Sequence, residues 1–294
     1  MLKRIASFSA AAVLVACATV TVDLPPISEA PSGQHDAGRV VWHDLLTNTP
    51  EASRRFYGEL FGWTFEKPGV ALGFGDDDTY MLIRHNGKLI GGMFDANDLD
   101  TDENVSQWVT ILSTGDVDAA IERARAEGGE ILTPPTDLAS RGRLAVLRDP
   151  EGALVALLTA NGGDPAMAEP VTNGFLWSEV WTSNVDRTVN FYESVLGVTR
   201  DDRDVPGVDD SYTLLMSGSE PRAGVLDNPF EGERPVWVNY LRVDDPAAIT
   251  ARVEELGGRV ILNSQPRDIG GKVALIAGPS GAGIALQTWP LEKN

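Results

Sequence analysis

Three residue types are scarce in this 294-residue chain: cysteine occurs once, histidine three times and lysine five times. The single cysteine, Cys17, excludes a disulfide within the monomer and argues against a thiol catalyst. Three histidines leave little imidazole for a metal site. His35 stands in a Pro-rich stretch, His85 beside a turn signal, HNGK, and only His43 on an opening strand. Positive charge is also short, 24 basic residues against 43 acidic ones, for a formal charge of -19. Such a field repels phosphate backbones and disfavours nucleic acid as a partner. Aspartate makes up 25 of the acids, a bias that would suit a saline environment. No Walker loop, dinucleotide fingerprint or serine nucleophile elbow is present, and GFGDDD and NDLDTDEN lack the spacing of a calcium loop.

What is present begins at the N-terminus. MLKRIASFSAAAVLVACATV sets Lys3 and Arg4 before an apolar run, Ile5 to Ala16, that is too short for a permanent membrane helix and reads as an export signal over 1–16. Leu14-Val15-Ala16-Cys17 resembles a bacterial lipobox, in which a peptidase cuts ahead of a cysteine that carries lipid. The expectation is a lipidated, palmitate-bearing Cys17 that makes the bilayer a partner. Residues 17–38, rich in Pro, Ser, Thr and Ala without period, then read as a flexible tether. Ala18 resembles the sorting pattern of Gram-negative outer-membrane lipoproteins, which would place the protein in the cell envelope, on the periplasmic side of the outer membrane.

The rest of the chain repeats itself. VVWHDLLTNTPEASRRFYGELFGW starts at Val40, and 135 residues later FLWSEVWTSNVDRTVNFYESVLGV matches it, Trp42 with Trp177, Asp44 with Glu179, Gly62 with Gly197. A second pair is offset by 129 and starts at Trp108 and Trp237; Gly128-Gly129 meets Gly257-Gly258. Each copy runs from an alternating strand into a helical spacing that ends at glycine, then into further strands.

This combination, FYGELFGW after an alternating strand and then helix, Gly-Gly and DPEGALVALL, resembles the vicinal oxygen chelate superfamily, which unites glyoxalases, bleomycin-resistance proteins and extradiol dioxygenases. The resemblance implies an α+β fold of four βαβββ modules that form two tandem glyoxalase-like open barrels, with helices outside and a ligand cavity inside. Domain 1 would span 39–161, a linker 162–173, and domain 2 174–291. Pairing of modules within the chain is the simpler arrangement, since all four are present.

Metal-using members place His or Gln on the first strand of a module and Glu on its last. The resemblance puts these positions at Trp42 and Trp177, and at Ala156 and Ala285. Indole and methyl groups cannot ligate, so no metal and no cofactor is expected. Strand alternation places Val40, Trp42 and Asp44 on one face, and Phe175, Trp177, Glu179 and Trp181 on the matching one; by the resemblance these face the cavities. His43 points toward the helix side. Asp44 and Glu179 are the candidate catalytic or anchoring groups, because a carboxylate beside indoles in a dry cavity could act as a general base.

Trp42, Trp108, Trp177, Trp181 and Trp237 are candidate cavity walls. Thr110 and Asn239 could add hydrogen bonds, and Arg143 and Lys272 are candidate counter-charges. The expected function is binding of a small organic ligand, partly aromatic or apolar. The alternatives are a lyase or isomerase using Asp44 or Glu179 as base, and an envelope scaffold with filled cavities.

Overall fold

The computed structural model describes residues 24–68, 79–101, 103–206 and 212–289. The export signal, Cys17 and the GFGDDD loop lie outside them.

The first half contains β1 (Val40–Thr47), α1 (Pro50–Phe61), β2 (Thr64–Glu66), β3 (Tyr80–His85), β4 (Lys88–Asp95), β5 (Gln107–Ser113), α2 (Val117–Ala126), β6 (Glu130–Asp137), β7 (Gly142–Arg148) and β8 (Leu154–Ala160). The second repeats the order with β9 (Phe175–Thr182), α3 (Val185–Leu196), β10 (Thr199–Arg203), β11 (Tyr212–Ser217), β12 (Glu220–Asp227), β13 (Val236–Arg242), α4 (Pro246–Val253), β14 (Arg259–Pro266), β15 (Lys272–Ala277) and β16 (Gly283–Gln287). Helix α1 buries Phe56, Tyr57 and Leu60 on one stripe and stops at Gly62, whose left-handed φ of 70° is costly for other residues; α3 ends the same way at Gly197, φ 72°.

Each half folds into one eight-stranded sheet, β2-β3-β4-β1-β5-β8-β7-β6 and β10-β11-β12-β9-β13-β16-β15-β14. The last strand of each module returns parallel to its opening strand, while opening strands β1 and β5, or β9 and β13, pair antiparallel and join two modules. The sheets curl. Tyr80 on β3 and Leu144 on β7 would stand about 24 Å apart in a flat sheet, yet they share one apolar cluster with Trp42, Phe94, Ile111 and Ala156.

The convex faces of the two sheets share their cores. Helices α2 and α3 pack together with side chains from β7, β8 and β12, while α1 and α4 pack with Trp63, Trp108, Ile276 and Ile284. A bulge at the start of β1 and of β9 alters the simple alternation: Val40 pairs with Leu112 and Trp42 with Ile111, and Phe175 and Trp177 pair with Leu241 and Tyr240. The extra residue turns Val40 and Phe175 over into the shared cores, so neither belongs to the inner sets where strict alternation puts them.

The described part of the expected tether, residues 24–38, is held against domain 1. Leu24 and Ile27 are buried, and Asp164, itself buried, accepts from the Asp36 amide and the Ser113 hydroxyl, both at 2.7 Å. Composition hides these few anchors, since each depends on a partner more than a hundred residues away.

Where β1 and β5 meet β9 and β13, Thr110 and Ser178 both donate to Asn239 Oδ1, at 3.1 and 2.7 Å, and His43 stacks on Phe175 with ring centroids 3.6 Å apart. Burial here pushes the His43 imidazole down to about 3, with Asn239 opposing more weakly. The unfolded chain takes up this proton below about pH 6.5 and the folded protein only near 3, so His43 withdraws stability as pH falls through that window, by about 1.4 kcal/mol per pH unit. Urea unfolding from pH 6 to pH 4 should show this extra slope in the native chain and not in His43→Gln; equal slopes would contradict it.

Candidate functional site

The concave face of domain 1 encloses a cavity of about 160 Å³. Its walls are mostly apolar, among them Leu46, Phe94, Val109, Ile111, Leu144 and Ala156, and its polar groups include Asp44, Tyr80 and Arg141. These three form a chain. Asp44 Oδ1 accepts from Trp42 Nε1 and from the Tyr80 hydroxyl, each at 2.8 Å, and Arg141 Nη1 donates to Tyr80 at 2.9 Å. The Arg141 guanidinium lies over the Trp42 ring, 4.9 Å from its centroid. Burial pushes the Tyr80 phenol up, so it stays protonated and donates to Asp44 at ordinary pH.

Domain 2 repeats half of this device. Glu179 Oε1 accepts from Tyr212 at 2.7 Å, and Oε2 from Tyr240 at 2.6 Å and Trp181 Nε1 at 3.1 Å; Trp177 Nε1 donates to Tyr212 at 2.8 Å. Burial, reinforced by Glu179, pushes both phenols well up. Gly92 and Gly224 make the pairs possible, because a Cβ at either would overlap the tyrosine hydroxyl and crowd the carboxylate side chain.

Trp42 with Asp44, and Trp177 and Trp181 with Glu179, are thus brought together on the two concave faces as expected from the strands. The other candidates are not. Trp108 and Trp237 point to the convex side and donate to Tyr57 and Tyr192, at 3.1 and 2.9 Å. Thr110 and Asn239 meet each other in the seam between the domains. The inner residues of β5 are Gln107, Val109 and Ile111, one position out of phase with the face of Trp108. Arg143 pairs with Asp118 and Asp137 on the outside, and Lys272 is exposed. The buried cation is Arg141, two residues earlier, where the turn before Gly142 directs the chain inward. Sequence reasoning missed Arg141 and all three tyrosines; the glycine pair Gly91-Gly92 inside a strand was the available signal of a close approach.

Comparison with known proteins agrees with this architecture. Residues 39–157 and 174–286 match the family model of the Glyoxalase/Bleomycin resistance protein/Dioxygenase superfamily. The chain belongs to that superfamily. CFP32 of Mycobacterium tuberculosis is 30% identical over 251 residues, 85% of this chain and 94% of that protein. The anthracycline biosynthesis protein DnrV of Streptomyces peucetius is 30% identical over 266 residues, 85% of this chain and 92% of its own length. Among solved structures, the Mn(II)-bound glyoxalase from Novosphingobium aromaticivorans superimposes with a TM-score of 0.58 at 18% identity, covering 88% of this chain and 84% of that one, a likeness of fold.

The superfamily's metal positions can be tested against the side chains that occupy them. Trp42 and Ala156 share the concave cluster of domain 1, and Trp177 and Ala285 that of domain 2. Indole and methyl groups offer no lone pair to a cation, and among the described residues no group of three or more His, Cys, Asp or Glu could hold one. The residues present do not fit the metal.

Proposed function

We propose that this superfamily member is an envelope lipoprotein that holds a small organic molecule, apolar or aromatic in its body, in the domain 1 cavity without a metal. The observation that carries this reading is the cavity itself: an apolar chamber with a prearranged Asp44–Tyr80–Arg141 chain, lined by Ala156 and backed by the buried Trp42 where a ligand set would stand. Its volume, about 160 Å³, resembles that of an apolar cavity of about 150 Å³ that accepts benzene. A relative named for anthracycline biosynthesis is in keeping with an organic ligand.

A lyase or isomerase reading is favoured by one observation. Asp44 lines the cavity with Oδ1 fixed by Trp42 and Tyr80, the orientation a general base requires. Glu179 is less suited, because both its oxygens are engaged and it is buried. Asp44→Asn separates the two readings, abolishing turnover in an enzyme and only weakening affinity in a binder.

Ala156→Phe, which fills the cavity, should weaken binding of small aromatic compounds about tenfold or more, read by tryptophan fluorescence against a metabolite panel. Unchanged binding, or no compound that binds the native chain, would contradict the reading. Anchoring is checked separately: the native chain should take up labelled palmitate and partition into detergent, and Cys17→Ser should do neither. Equal partitioning of the two would remove the anchor.

A further inference from the structure

Arg141 is only 1% exposed, and its nitrogens are not treated alike. Nη1 donates to Tyr80, Nε donates to the Pro25 carbonyl at 3.0 Å, and Nη2 is buried with no acceptor. In a planar guanidinium, Nε–H and the neighbouring Nη2–H point the same way and form the edge that takes both oxygens of a carboxylate. Arg143 uses this edge so, gripping Asp118 through Nε and Nη2 at 2.6 and 2.9 Å. In Arg141 a single peptide oxygen fills one tooth of the fork and nothing fills the other. A buried cation with an unmet donor is costly, so the edge is incomplete as it stands.

The segment that supplies this oxygen is held by the buried side chains of Leu24 and Ile27 more than by backbone pairing. Pro25 and Pro26 have no N–H to give a sheet edge, and the Leu24 amide reaches Leu138 O only at 3.4 Å. Leu24 also forms part of the cavity wall, so the segment lies over the chamber as well as over Arg141.

We propose, building on the cavity reading above, that the Nε/Nη2 edge of Arg141 anchors the carboxylate of a small acid whose benzene-sized apolar body fills the domain 1 cavity. The carboxylate takes the place of the Pro25 carbonyl, and residues 24–27 are the cover it displaces. Asp44 does not oppose this, because its Oδ1 is bound through Tyr80 to the Nη1 side of the guanidinium, away from the open edge. Domain 2 has Gly270 at the position matched to Arg141 by the 129-residue offset, and its own nearby cation, Arg267, donates through Nη1 to Gln287 Oε1 at 2.6 Å.

The test titrates the full chain with benzoate, phenylacetate and the neutral isostere benzamide, read by tryptophan fluorescence and calorimetry. The acids should bind about tenfold or more tighter than benzamide, as a charge-assisted bidentate contact requires. Arg141→Lys should lose most of that preference, read as the ratio of benzoate to benzamide affinity within the variant. Ile27→Ala loosens the cover without touching Arg141 or the cavity wall, and should tighten benzoate severalfold. Equal affinity of the native chain for benzoate and benzamide overturns the anchor but leaves the cavity reading intact; no binding of any of the three sinks both. A preference kept by Arg141→Lys also overturns the anchor, and weaker benzoate binding by Ile27→Ala overturns the cover, even if the lysine variant fails to fold.

Discussion

A hydrogen bond from Arg141 to Tyr80, continued to Asp44, holds together two ends of a sheet that would be far apart if the sheet were flat. Arg141 precedes the seventh strand in chain order and Tyr80 opens the third, so the bond exists only because the sheet closes on itself. The same three residues place a cation, a phenol and a carboxylate in the wall of a mostly apolar chamber, each with a partner. In a dry interior such charges persist only when paired. The shape of domain 1 and the chemistry open to it rest on one arrangement.

The two domains have diverged from that common plan. Both keep a tryptophan, a carboxylate two strand positions on, and a tyrosine admitted by a glycine on the neighbouring strand. Domain 2 replaces aspartate by the longer glutamate and surrounds it with three aromatic donors, which consumes both carboxylate oxygens. Domain 1 keeps the shorter carboxylate, a cavity and a buried guanidinium. Because the convex faces share their cores through α1, α2, α3 and α4, domain 2 also supports domain 1 mechanically. Repetition of a module has been used here for packing on one side and for a chamber on the other.

The architecture was legible because it is written in repeats. Trp42 and Trp177, Gly62 and Gly197, and the Gly-Gly pairs mark the modules and their helix ends without reference to any contact. The inner face of β1 was legible from Trp42 and Asp44, and the bulge that turns Val40 and Phe175 over was not, since an extra residue leaves no mark on composition. Trp108 and Trp237 carried the wrong expectation because a one-residue slip in parity exchanges the two faces of a strand. Arg141 was hidden behind Arg143 for a related reason: a turn decides which of two nearby arginines faces inward, and the turn depends on tertiary closure. Tyr80 lies in a hairpin with no motif of its own. Local pattern thus described the frame, and the long-range pairs that build the site required the fold.

Indole and methyl groups stand where the resemblance to metal-using superfamily members places ligands, and the proposed metal-free chamber depends on them. Elemental analysis of the purified full chain, after incubation with manganese, iron, nickel and zinc and removal of loosely held ions, tests this most directly. Far less than one equivalent of any of them should remain per chain, with ligand affinity unchanged by a chelator. A full equivalent retained per chain, together with binding lost on chelation, would contradict it.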